Sequence, residues 1–90
     1  MDMVEETGLS LYPVPASNEL NIGFSLKHAG EATVSLIDAK GITLLSNEFK
    51  TEEGKNILQI KTATIPSGIY YLKVQYPEGV FSKTILIQRD

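Results

Sequence analysis

The 90-residue chain has no cysteine and no tryptophan, and a single histidine, His28. Without cysteine there is no disulfide, no thiol nucleophile and no zinc thiolate, so packing alone must hold the fold. That absence leaves the periplasm and the cell surface open as compartments. No apolar run is long enough to span a bilayer, so direct membrane insertion is not expected. Residues 1–8 are short, acidic and polar and do not read as a signal peptide. Basic excess is missing too. The formal net charge is −3 with both signs interspersed, which argues against nucleic acid as a partner.

Catalytic groups are equally scarce. His28 lies in a polar turn beside Gly30, where a solvated loop histidine is the expected role. No G-x-S-x-G motif offers it a serine nucleophile. Glu5-Glu6 and Glu52-Glu53 are adjacent pairs, and neighbours on a strand point to opposite faces. They read as solubilising charge, because the ligand spacing of a calcium loop is absent. No glycine-rich phosphate cradle follows a strand and opens a helix. The residues therefore imply no enzyme, no metal and no cofactor.

What the chain does have is two-residue alternation. Leu20, Ile22, Phe24 and Leu26 share one face, and Asn21, Gly23, Ser25 and Lys27 the other. Ala32, Val34 and Leu36 form the next inward set. Asp38-Ala39-Lys40-Gly41 reads as a hairpin turn, with Gly41 available for positive φ. A less regular strand spans residues 42–49, because Leu44 and Leu45 are adjacent. Leu58 and Ile60 mark a short strand, and Tyr70, Leu72, Val74 and Tyr76 give the strongest alternation. The last strand spans residues 80–88, with Phe81, Ile85 and Ile87 competing with Leu86 for the buried face. A short first strand over residues 9–12 ends at two prolines. Seven short strands at regular spacing and no helix predict an all-β fold, an immunoglobulin-like antiparallel β-sandwich. Residues 9–90 form this one domain, and residues 1–8 a flexible N-terminal segment or a linker or cloning remnant.

Two signatures stand out. The first is Leu11-Tyr12-Pro13-Val14-Pro15-Ala16-Ser17-Asn18; the second is Ile65-Pro66-Ser67-Gly68-Ile69-Tyr70. Pro13 and Pro15 restrict the backbone and stop the first strand from pairing further, a structural role that stands beside direct recognition. Tyr70 starts the penultimate strand after a glycine-bearing crossing, where a tyrosine corner sits; a plain buried aromatic is the alternative.

Read in order, these residues resemble the C-terminal sorting domains of the type IX (Por) secretion system. The opening Tyr12-Pro13-Val14-Pro15-Ala16 is similar to that family's Tyr-Pro-Asn-Pro-Ala. The likeness continues through the Asp38–Gly41 turn, Gly54-x-Asn56-x-Leu58-x-Ile60, the second signature, and a final strand carrying Lys83 and the tail Gln88-Arg89-Asp90. Val14 departs from the usual Asn, and Lys61 stands where many members have Asp. The resemblance implies a non-catalytic sorting domain at the end of a larger cargo protein of the Bacteroidota. It implies periplasmic transit, passage across the outer membrane, and a stay at the cell surface or release. It implies two partners, the type IX machinery and a cell-surface sortase that cuts the domain away. On this reading Tyr12, Pro13, Pro15, Ala16, Gly41, Gly68, Tyr70, Lys83 and Arg89 are the motif positions.

Two other readings stand beside it: a fibronectin-like or immunoglobulin-like spacer, and a carbohydrate-binding module of an extracellular enzyme. A sugar module needs a row of exposed aromatics. Alternation places Tyr71 opposite Tyr70 and exposes it alone. A sorting domain must close its chain, and this one ends soon after its final strand.

Overall fold

Alternating apolar residues make a strand stable only when one face is covered. In the computed structural model, which describes residues 3–4 and 9–88, two antiparallel sheets cover each other in this way. The strands are β1 (Met3–Val4), β2 (Ser10–Tyr12), β3 (Glu19–Leu26), β4 (Gly30–Ile37), β5 (Thr43–Thr51), β6 (Gly54–Lys61), β7 (Gly68–Tyr76) and β8 (Gly79–Ile87). The first sheet has the order β1-β2-β3-β6 and the second β5-β4-β7-β8. β3 pairs with β6, and β4 with β7, so the chain crosses between sheets after β3, β5 and β6. Seven of the strands match the seven read from the sequence. The two-residue β1, which pairs Met3 with Leu11 and Val4 with Ser10, was not among them. The other residues of the 1–8 segment, and Arg89, lie outside the described residues.

The inward residues are those the alternation marks. Leu20, Ile22, Phe24 and Leu26 are buried from the first sheet, and Ala32, Val34, Leu36, Tyr70, Leu72 and Val74 from the second. Each large aliphatic among them contributes about 1.5–3 kcal/mol through burial. In β8, packing decides between the competing faces: Ile85 and Ile87 are buried, Phe81 packs against the core, and Leu86 stays on the outer face. In β5, Leu45 and Phe49 face inward and Leu44 outward.

The two poles of the sandwich are built differently. At one pole, Phe24, Tyr76 and Phe81 form a triangle with ring centroids 6.0 Å apart. There the Glu78 carboxylate accepts the backbone N–H groups of Lys27 and His28 at 2.9 and 3.3 Å. The side chain of His28 is exposed. The opposite pole gathers the ends of β2, β4, β6 and β8 and the starts of β3 and β7.

Candidate functional site

At this second pole the two signatures meet. Tyr12 ends β2 half-buried, and its carbonyl accepts the Asn21 side-chain amide at 3.2 Å. The Tyr12–Pro13 and Val14–Pro15 peptide bonds are cis. Pro13 and Pro15 are exposed, while Val14 between them packs on the core. Ala16 is buried, at 1% exposure, and lies parallel to Ile87 at the end of β8. Its N–H donates to the Leu86 carbonyl at 2.9 Å, and its own carbonyl accepts the Gln88 N–H at 2.8 Å.

The next two residues bond in the other direction. The Ser17 carbonyl accepts the Thr62 hydroxyl at 2.7 Å, and the Asn18 carbonyl accepts the Thr62 N–H at 2.9 Å. Thr62 is fully buried and follows the last residue of β6. The segment after β2 is thus a seam between the sheets, with β8 on one side and the β6–β7 crossing on the other. A buried hydroxyl and buried amides remain stable there because each has a partner.

The second signature is the wall beside this seam. The Thr62 carbonyl accepts the Ile65 N–H at 3.0 Å, which tightens the crossing, and Ile65 is buried. Tyr70 Oη donates to the Pro66 carbonyl at 2.6 Å. This is the tyrosine corner, closed four residues upstream. Gly68 stands opposite Ile87 in the β7–β8 ladder and beneath the Tyr70 ring, so Ala16, Ile87 and Gly68 form a row across three segments.

The β4–β5 turn closes the same pole. Asp38 Oδ1 accepts the N–H groups of Lys40 and Ile42, each at 2.9 Å. Gly41 has φ +87°, a conformation that side chains resist, with nothing near the position of a Cβ. Outside this turn, Ile37, Ile69, Tyr71 and Leu86 lie near one another on the outer face, where Ile69 pairs with Leu86 and Ile37 with Tyr71. Tyr71 is the one aromatic among the large apolar side chains exposed in the described residues.

Of the sequence-marked positions, Tyr12, Pro13, Pro15, Ala16, Gly41, Gly68 and Tyr70 thus share one pole. Lys83 does not join them: it sits mid-strand on β8, half-buried, opposite Leu72. The sequence reading missed Thr62, whose type and position resemble any loop threonine. It gave Asn56 no role of its own. The Asn56 side chain accepts the Glu52 N–H at 2.9 Å and donates to the Glu52 and Gly54 carbonyls, which closes the β5–β6 turn around Gly54 at φ +96°. The spacing Gly54-x-Asn56 was its available signal. Among the described residues, no three His, Cys, Asp or Glu side chains gather as metal ligands.

A family model described as a secretion system C-terminal sorting domain matches residues 10–88. The match begins at the first residue of β2 and ends one residue beyond β8, so it covers seven of the eight strands, all but β1. No curated protein matches the chain.

Proposed function

The chain belongs to the secretion system C-terminal sorting domain family, and on that premise we propose that the pole around Ala16 is the address the export machinery reads. The domain is a type IX sorting signal and part of a larger cargo protein. In the reading proposed here it is non-catalytic and carries its cargo from the periplasm across the outer membrane to the cell surface of a Bacteroidota cell. A surface sortase then removes it.

The observation that supports this reading is the single seam joining the proline segment, the β6–β7 crossing and the end of β8. A folded recognition surface needs its parts held rigidly, and these three are fixed by backbone bonds together with the buried Thr62 hydroxyl. Pro13 and Pro15 stand exposed on that rigid base. The test fuses the chain to a reporter in a cell with a working type IX system. Surface delivery is expected, and its loss is expected when the proline segment is altered in a domain that still folds. Reporter retained inside cells carrying the unaltered fusion would overturn the proposal.

A further inference from the structure

We propose that β5 is a pairing edge for a second copy of this chain, joining two sandwiches antiparallel about Phe49. The inference is independent of the export reading. The second sheet has two edge strands, β5 and β8. An open edge presents unpaired backbone groups, and folds protect edges with covering segments, inward charges or bulges. β8 is protected twice, because Ala16 covers its C-terminal end and the half-buried Lys83 lies on its inward-facing row. β5 has no proline and no charge on its inward row, Leu45, Asn47, Phe49 and Thr51. Its one irregularity is a bulge, where Leu36 and Ile37 pair with Leu45 and Thr43. A bulge turns the start of an edge away from pairing and leaves the later half, residues 46–51, regular.

The sequence of that half selects one register. Inner faces stay together only when paired residues are both odd or both even. Centring the pair on Phe49 sets Glu48 against Lys50 of the second copy, and symmetry repeats that contact. It also sets Phe49 against Phe49, and Asn47 against Thr51. Centring on Glu48 or on Lys50 opposes like charges, and centring on Asn47 runs the pair into the bulge. The chosen register extends a pattern already present, because Lys50 stands opposite Glu31 in the β4–β5 ladder. The row on the outer face then reads Glu31, Lys50, and Glu48 of the second copy. Both Glu48 and Lys50 are exposed and available. On the inner side, Leu45, Asn47 and Phe49 line an open cleft with Gln59 and Lys61, which a second sandwich would close. Thr51 carries the buried hydroxyl that has no hydrogen-bond partner among the described residues, and the register brings an asparagine amide beside it.

The test uses the full chain in sedimentation velocity from micromolar to millimolar concentration. The mass is expected to rise from one copy to two. Glu48→Lys and Lys50→Glu each place like charges opposite one another twice and are expected to weaken self-association about tenfold. Mixed in equal amounts, the two reversed chains meet with opposite charges and are expected to associate as tightly as the unaltered chain. A single-copy mass at every concentration overturns the proposal, as does a dimer that neither reversal weakens or a mixture that stays monomeric. Circular dichroism checks that both reversed chains fold. If either does not, hydrogen exchange on the unaltered chain decides: protection of the residue 46–51 amides must rise with concentration, and protection confined to β8 overturns the proposal.

Discussion

Ala16 is bonded on both sides of its peptide to the end of β8, with its N–H on the Leu86 carbonyl at 2.9 Å and its carbonyl on the Gln88 N–H at 2.8 Å. The methyl group is buried against the core at 1% exposure. A larger side chain there would enter a closely packed interior. Ala16→Leu is expected to cost about 1–3 kcal/mol by overpacking. For a domain of this size each kcal/mol lowers the melting temperature about 4–8 °C. Thermal unfolding followed by circular dichroism checks this, and an unchanged midpoint would refute the buried seam.

Tyr70 and Tyr71 are neighbours with opposite expectations. Tyr70 Oη donates to the Pro66 carbonyl at 2.6 Å, whereas Tyr71 points from the outer face at 48% exposure. Tyr70→Phe removes the donor and is expected to destabilise by about 1 kcal/mol. Tyr71→Phe is expected to change stability by less than about 0.5 kcal/mol. Urea unfolding of both variants is the measurement, and equal effects at the two positions would contradict the tyrosine corner.

The two motif glycines also separate. Gly41 has φ +87° in open space, so Gly41→Ala meets no neighbour and pays only in backbone strain, about 1–2 kcal/mol. Gly68 has no positive φ, and a Cβ there would lie 3.5 Å from the Tyr70 ring, an ordinary contact. Gly68→Ala is expected to cost less than Gly41→Ala in the same unfolding assay. The reverse order would show that Gly68, not Gly41, holds the constrained position.

These contrasts mark what the sequence makes legible. Gly41 follows Asp38 at turn spacing, and Tyr70 follows Gly68 at the start of a strand, so both devices are local and readable. The inward rows of β3, β4 and β7 are readable for the same reason: alternation is a property of neighbours. The faces of β8 are not, because Leu86 is as apolar as Ile85 and Ile87, and only packing against the other sheet decides between them. The seam is the least legible part. Thr62 meets Ser17 across 45 positions, and Ala16 meets Leu86 across the length of the domain. Such pairings follow from strand order, which no local pattern encodes.

Pro13 and Pro15 supply the test that divides structure from recognition. Both rings are exposed, so replacing them removes little packing. Alanine at these positions widens the range of backbone conformations open to the unfolded chain and is expected to destabilise the domain. The reading of this pole as an address expects the Pro13→Ala, Pro15→Ala double variant to lose most surface delivery of a fused reporter, beyond what its loss of folded fraction explains. Delivery and melting temperature are therefore measured on the same chain. A large fall in delivery with a small fall in melting temperature assigns the prolines to recognition. Matched falls assign them to the fold, and full delivery by the double variant would remove Pro13 and Pro15 from the address.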